Sequence, residues 1–208
     1  MSLFSRISKQ LKSQSGANTF FEVEYSQYIK SELEYIRHWG LSSKQVFAVK
    51  GFFGIAIPYG NSNSIPFSRS YFGGGSNDIR AWQSYSLGPG SSESILDFNE
   101  ANMKLTLSSE FRFNVFGNLY SAVFVDAGNI WNVLDNISNE KSVFSGVNSL
   151  KDIAVGTGFG LRYDFNFFVL RTDFGFKTYN PANPENEKWF KDIRFDKSVL
   201  NIGINYPF

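Results

Sequence analysis

Three residues in this 208-residue chain have types and positions that invite chemistry. Arg80 follows the run Gly73, Gly74, Gly75, Ser76, Asn77, Asp78, Ile79 and precedes Ala81 and Trp82. Glu110 and Asp126 lie downstream, in segments where polar and apolar residues alternate. A guanidinium offers five N–H donors in a rigid fork, which suits it to gripping two carboxylates. Two carboxylates on their own suit acid–base work on a glycoside, or a hard cation. Here neither chemistry has supporting residues. The single histidine, His38, sits beside Trp39 in a segment that reads as a turn, and there is no cysteine. That leaves no histidine cluster, no thiolate nucleophile and no Cys-ligated metal. The glycines are not followed by Gly-Lys-Ser/Thr, so a phosphate-cradling loop is disfavoured. With 20 Lys+Arg against 19 Asp+Glu the chain has no basic excess with which to grip nucleic acid. The expectation is a chain with no catalytic group, no cofactor and no metal, in which Arg80 accounts for the carboxylates.

The elements that would position these residues read as strands. Over 103–113 the odd positions are Met103, Leu105, Leu107, Ser109, Phe111 and Phe113, and the even ones within it are Lys104, Thr106, Ser108, Glu110 and Arg112. A strand separates these sets onto two faces, whereas a helix would smear both around its circumference. The same period recurs over 21–35, 47–59, 119–129, 153–163, 168–178 and 198–208. Aromatic residues make up 18% of the chain, including 23 Phe, and this also favours strands. Glu110 shares its face with Lys104 and Arg112, and Asp126 lies opposite Val123 and Val125, so both carboxylates fall on polar faces.

No stretch approaches the run of about 20 apolar residues needed for a membrane-spanning helix, and the first sixteen residues carry no signal-peptide pattern. Strands that alternate lipid-facing and lumen-facing residues keep a modest average hydropathy, and the mean hydropathy is −0.21. A soluble sandwich or lipocalin-like barrel alternates too. Strand length and connector asymmetry favour the membrane version. Short connectors fall at 37–43, 114–118 and 164–166, and long ones at 60–95, 132–152 and 179–196. The expected fold is an all-β, transmembrane antiparallel β-barrel contributed by residues 18–208, with residues 1–17 a loop or short helix and a long loop at 60–95. Trp39, Trp82, Trp131 and Trp189 fall at turns or strand ends, as aromatic girdles require, although simple packing explains each equally well.

The loop segment 66–89 resembles the conserved loop of the BamA/TamA superfamily of outer-membrane assembly and translocation barrels. That loop runs from glycines through Ser-Asn to Val/Ile-Arg-Gly-Phe. Here Gly73, Gly74, Gly75, Ser76, Asn77, Ile79 and Arg80 follow the pattern, while Ala81 stands for the usual Gly and Trp82 for Phe. FVDAGNIW at 124–131, GTGFGLRYDF at 156–165 and the closing GINYPF, with Gly203, Tyr206 and Phe208, are similar to further family segments. The resemblance implies that this chain supplies about the last seven or eight strands of a barrel of about sixteen. The family's early strands and periplasmic POTRA domains would then lie outside it. It also implies that Arg80 pairs with Glu110 and Asp126 to hold the loop inside the lumen, and that Gly203, Tyr206 and Phe208 form a terminal-strand assembly signal, with Tyr206 and Phe208 facing lipid. Expected partners are outer-membrane lipid and nascent outer-membrane proteins, in the outer membrane of a Gram-negative-type bacterium. The implied function is non-enzymatic assembly, insertion or translocation through strand pairing at the barrel seam. A passive pore or secretion barrel, or the barrel of a fused surface enzyme, remains the alternative.

Overall fold

The computed structural model of the protein describes residues 19–20, 23–92, 99–134 and 139–208; the segment 1–17, read as a loop or short helix, lies outside them. The short strands β1 (Thr19–Phe20) and β2 (Val23–Glu24) pair with each other. Then come β3 (Tyr28–Ser42), β4 (Gln45–Pro58), β5 (Met103–Phe116), β6 (Leu119–Trp131), β7 (Ala154–Asp164), β8 (Val169–Tyr179), β9 (Trp189–Asp192) and β10 (Val199–Ile204). The second sheet runs antiparallel in the order β10-β8-β7-β6-β5-β4-β3, with β9 also on β8. β10 pairs with residues 170–175 of β8 and β9 with the far end of the same edge, so the two strands divide that edge between them.

The period-two pattern becomes two surfaces of opposite character. On one face Leu107, Val123, Val125, Phe159, Leu161, Leu200, Ile202 and Ile204 are exposed. On the other, Thr106, Ser108, Glu110, Arg112, Asp126, Arg162, Arg171 and Asp173 are buried. This is a water-soluble protein turned inside out. Burying a Leu or Ile side chain contributes roughly 1.5–3 kcal/mol in water, and the outward row forgoes that gain. The row fits a hydrocarbon surround, where backbone groups must be paired within the sheet. No helix among the described residues is long and apolar enough to cross a membrane.

Several boundaries move. The segment 37–43, read as a connector, is strand up to Ser42, and the chain turns at Ser43 and Lys44. The first long strand begins at Tyr28 rather than at 21, with its outward residues Ile29, Leu33 and Tyr35 in the expected phase. His38 is exposed on β3 opposite Ala48, which separates it from Glu110. The long connector runs from the end of β4 at Pro58 to the start of β5 at Met103.

Of the four tryptophans, Trp39 and Trp189 are exposed, as a girdle requires, whereas Trp82 and Trp131 follow the packing alternative, buried at 2% and 0%, Trp82 with Ala154 of β7 and Trp131 against Phe144 and Gly90. One expectation is corrected. The terminal strand ends at Ile204 rather than running to the chain's end. Asn205 takes a left-handed φ of 65°, a conformation that asparagine tolerates better than most residues. This reverses the alternation. Tyr206 and Phe208 turn to the polar face, where Arg112 lies 4.3 Å and 5.6 Å from their ring centres, instead of facing lipid.

Candidate functional site

The long loop returns across the polar face of the sheet and brings Arg80 with it. A tight turn makes the return possible. Gly74 and Gly75 adopt φ of 93° and 109°, and a side chain on Gly74 would strike the Gln83 carbonyl. Gly75 N–H donates to Trp82 O at 2.8 Å, Trp82 N–H to Ile79 O at 3.1 Å, and Gly74 N–H to the Asp78 carboxylate at 2.8 Å. Lys104 of β5 holds Asp78 at 3.0 Å and the Phe72 carbonyl at 2.8 Å. Gly73 bridges to Leu87, which closes the loop's own ribbon. Ile79, Ala81, Trp82 and Leu87 join Ala154 of β7 in a small apolar cluster.

The wall beneath this turn is built to admit it. On the polar face β7 carries Gly156, Gly158 and Gly160, β8 carries Gly175 and β10 carries Gly203. A Cβ at Gly156 would sit 2.6 Å from the Ala81 methyl, and one at Gly175 would be 2.8 Å from Ala81 N. A Cβ at Gly158 would collide with the Phe124 ring, and one at Gly203 would be 2.6 Å from Arg171 Nε. The glycine-rich strand is thus a groove for backbone and aromatic rings that approach closely.

Arg80 lies in that groove at 1% exposure. Its Nε and Nη2 donate to the two oxygens of Asp126, each at 2.9 Å, and its backbone N–H donates to Asp126 at 3.1 Å. Its Nη1 donates to Glu110, and its guanidinium lies 3.5 Å over the Phe124 ring. Asn201 of β10 donates to the Arg80 carbonyl at 2.9 Å. The structure therefore brings Arg80, Glu110 and Asp126 into direct contact.

The cluster is larger than those three. Arg162 reaches Glu110 at 3.1 Å and Asp173 at 2.6 Å. Arg171 reaches Asp173 at 2.9 Å, donates to Ser76 O at 2.8 Å and also donates to the Asn77 side-chain oxygen. Arg112 reaches Glu110 at 2.7 Å. Four guanidiniums thus surround the carboxylates of Glu110, Asp126 and Asp173, with every one of these side chains at most 8% exposed. Arg162, Arg171 and Asp173 were legible as polar-face residues of their strands, but only the register joins them. Ion pairs this buried contribute little net stability, because desolvation offsets attraction; removing one partner leaves a charge stranded. Their value is geometric: one loop position brings Arg80 to Glu110 and Asp126 and sets Ser76 and Asn77 against Arg171. Of the loop motif, Ser76 and Asn77 serve as acceptors for Arg171, Ile79 is fully buried, and Ala81 and Trp82 pack on β7. Gly203 leaves room for Arg171, whereas Tyr206 and Phe208 meet Arg112.

Each of the three carboxylates is ion-paired with at least one arginine, and no group of three or more metal-ligating side chains occurs among the described residues. The chain is similar to known proteins in three respects. It is 29% identical over 116 residues to the outer membrane protein assembly factor BamA of Neisseria meningitidis serogroup B, a match covering 51% of this chain and 14% of that protein. Its fold resembles that of BamA from Haemophilus ducreyi lacking POTRA domains 1–3, with a TM-score of 0.57 at 17% identity, covering 86% of this chain and 34% of that one. The chain therefore spans about a third or less of either relative. A family model for the Omp85 superfamily domain matches residues 5–203. With its apolar face outward and its charges inward, the chain forms part of an outer-membrane β-barrel of a Gram-negative-type bacterium, and it belongs to the Omp85 superfamily.

Proposed function

We propose that this chain is the seam-bearing part of a non-enzymatic outer-membrane protein assembly, insertion or translocation factor, and that it acts by strand pairing. The carrying observation is the terminal strand. β10 spans six residues and β8, its neighbour, eleven, while β9 takes the other end of the same edge. The free edge of β10 is therefore short, and a short ladder is cheap to open. Once open, it presents unpaired N–H and C=O groups that an incoming strand can complete by β-augmentation. The Arg80 cluster holds the loop behind this edge, and Asn201 of β10 bonds the loop directly. On this reading Arg80, Glu110 and Asp126 form the clamp, client proteins are nascent outer-membrane strands, and bilayer lipid covers the outward residues. POTRA domains and the remaining strands would come from the rest of the natural protein.

This chain has no cysteine, so one introduced into it is unique within these strands. Single cysteines placed at Leu200, Ile202 or Ile204 in the full-length protein are to be paired with cysteines in the closing strand of an arrested client. Register-specific disulfides at β10, absent from equivalent sites on β6, are the expected result. No disulfide at any β10 position, combined with steady ion conductance through the purified barrel, would leave a passive pore in place of an assembly factor.

A further inference from the structure

We propose that Arg112 is a positioning residue that couples the inward-turned terminal segment to the Arg80 loop, so that releasing either one loosens the other. This rests on the clamp described above and extends it to the end of the chain. Arg112 stands on β5 two residues from Glu110 and is buried at 7%. Its Nε donates to Glu110 Oε1 at 2.7 Å, while the other Glu110 oxygen accepts from Arg80 and from Arg162. Its Nη2 donates to the Phe208 carbonyl at 2.8 Å. The same guanidinium lies 4.3 Å from the Tyr206 ring centre and 5.6 Å from that of Phe208. One planar fork therefore touches the clamp with one edge and the terminal segment with another, which Lys could not do.

The terminal segment is placed for this contact by its backbone. Asn205 turns with φ 65°, and its N–H donates to Val169 O at 2.6 Å, which anchors the turn to the start of β8. Pro207 is buried beyond it. Tyr206 and Phe208 are thereby withdrawn from the apolar face, against the outward phase of Leu200, Ile202 and Ile204. An aromatic pair that leaves a hydrocarbon surround needs a compensating partner, and a desolvated guanidinium over its rings supplies one.

The coupling has a thermodynamic signature. If the loop and the terminal segment bias one another through Arg112, the effect is reciprocal: the factor by which losing one loosens the other is the same in both directions. The experiment uses the full-length protein in lipid and reads hydrogen exchange separately over 72–82 and over 205–208. Arg112→Gln is expected to raise exchange about tenfold in both segments, within the range usual for coupled sites. Arg80→Ala is expected to raise it at 205–208, and Tyr206→Ala with Phe208→Ala is expected to raise it at 72–82 by the same factor. Arg112→Lys, which keeps the charge but lacks the fork, is expected to restore neither segment. Should Arg112→Gln fail to fold, the Arg80 and Tyr206/Phe208 variants still measure both directions. If Arg80→Ala frees 72–82 and leaves 205–208 protected, the clamp stands and the coupling is wrong. If Arg80→Ala leaves 72–82 protected, the clamp itself is wrong.

Discussion

The polar faces of β3 and of β5–β8 carry the same kinds of residue and meet opposite fates. On β3, Lys30, Glu32 and Glu34 are exposed and pair loosely, Lys30 with Glu32 at 3.0 Å and Glu34 with Lys50 of β4 at 3.1 Å. On β5 to β8, Glu110, Asp126, Arg162 and Asp173 are fully buried under the returning loop. Alternation assigns a residue to a face, but a covering segment decides whether that face is dry. β3 is the strand whose outer edge has no neighbour in this sheet, and there the loop's Arg69 carbonyl and Tyr71 ring meet Lys30 without burying it. Charges on it therefore behave as surface charges, and those deeper in the sheet behave as a core.

The largest separation between the two regions is expected from removing acceptors. Glu110→Gln with Asp126→Asn strands several buried guanidiniums and is expected to cost about 3–5 kcal/mol of loop anchoring. Glu34→Gln, at the exposed pair, is expected to cost at most about 1 kcal/mol. Protease cleavage within 72–82 of the folded barrel checks both. Equal, small effects would mean that the buried cluster is as wet as the edge.

The glycines make a second contrast. Gly156→Ala drives a methyl into Ala81, and overpacking of this kind costs about 1–3 kcal/mol. Ala81→Gly in the same chain is expected to recover most of that loss, since each methyl excludes the other. Gly40→Ala on β3 meets nothing within 4 Å and is expected to change stability by less than about 0.5 kcal/mol. Unfolding midpoints in detergent for the two single variants and the double variant settle it. A double variant no better than Gly156→Ala would show that the groove is not the constraint.

A third and smaller effect concerns the segment between β8 and β10, where the four-residue β9 ends at Asp192. Burial there raises the Asp192 carboxyl, but Lys197 at 2.5 Å and the amides of Asn180 and Asn183 outweigh this and hold it down at about 2. A depressed carboxyl stabilises the fold fully above its unfolded value of about 3.9, and that contribution is lost as pH falls through about 2. Hydrogen exchange over 180–197 is expected to rise between pH 4 and pH 2 in the parent, and to be high and flat across that range in Asp192→Asn. An unchanged profile in Asp192→Asn would remove Asp192 as the local lock.

Much of this was legible in the sequence. Met103 to Phe113 declared both faces of β5, and the parity of Glu110 and Asp126 put them on the side where Arg80 meets them. Other features depend on what parity cannot carry. Arg162, Arg171 and Asp173 join the cluster through the registers Arg162↔Arg171 and Gly160↔Asp173, which a single strand does not reveal. Tyr206 and Phe208 kept the outward phase on paper, and one left-handed residue, Asn205, reversed it. Trp82 and Trp131 sit at boundaries where girdle and packing read alike from the sequence; the loop fold that buries them is set by contacts far away in the chain.

That distance has a kinetic consequence. The bond from Asn201 to the Arg80 carbonyl joins residues 121 apart, and Arg171 reaches Asn77 across 94. Contacts so far apart form late, because the intervening chain must first be ordered. Arg80 completes its bonds only when β10 has joined β5 and β6, which carry Glu110 and Asp126. Docking of the loop thus depends on β10: a wall without it leaves the Arg80 carbonyl without its Asn201 donor and the loop more open to proteolysis.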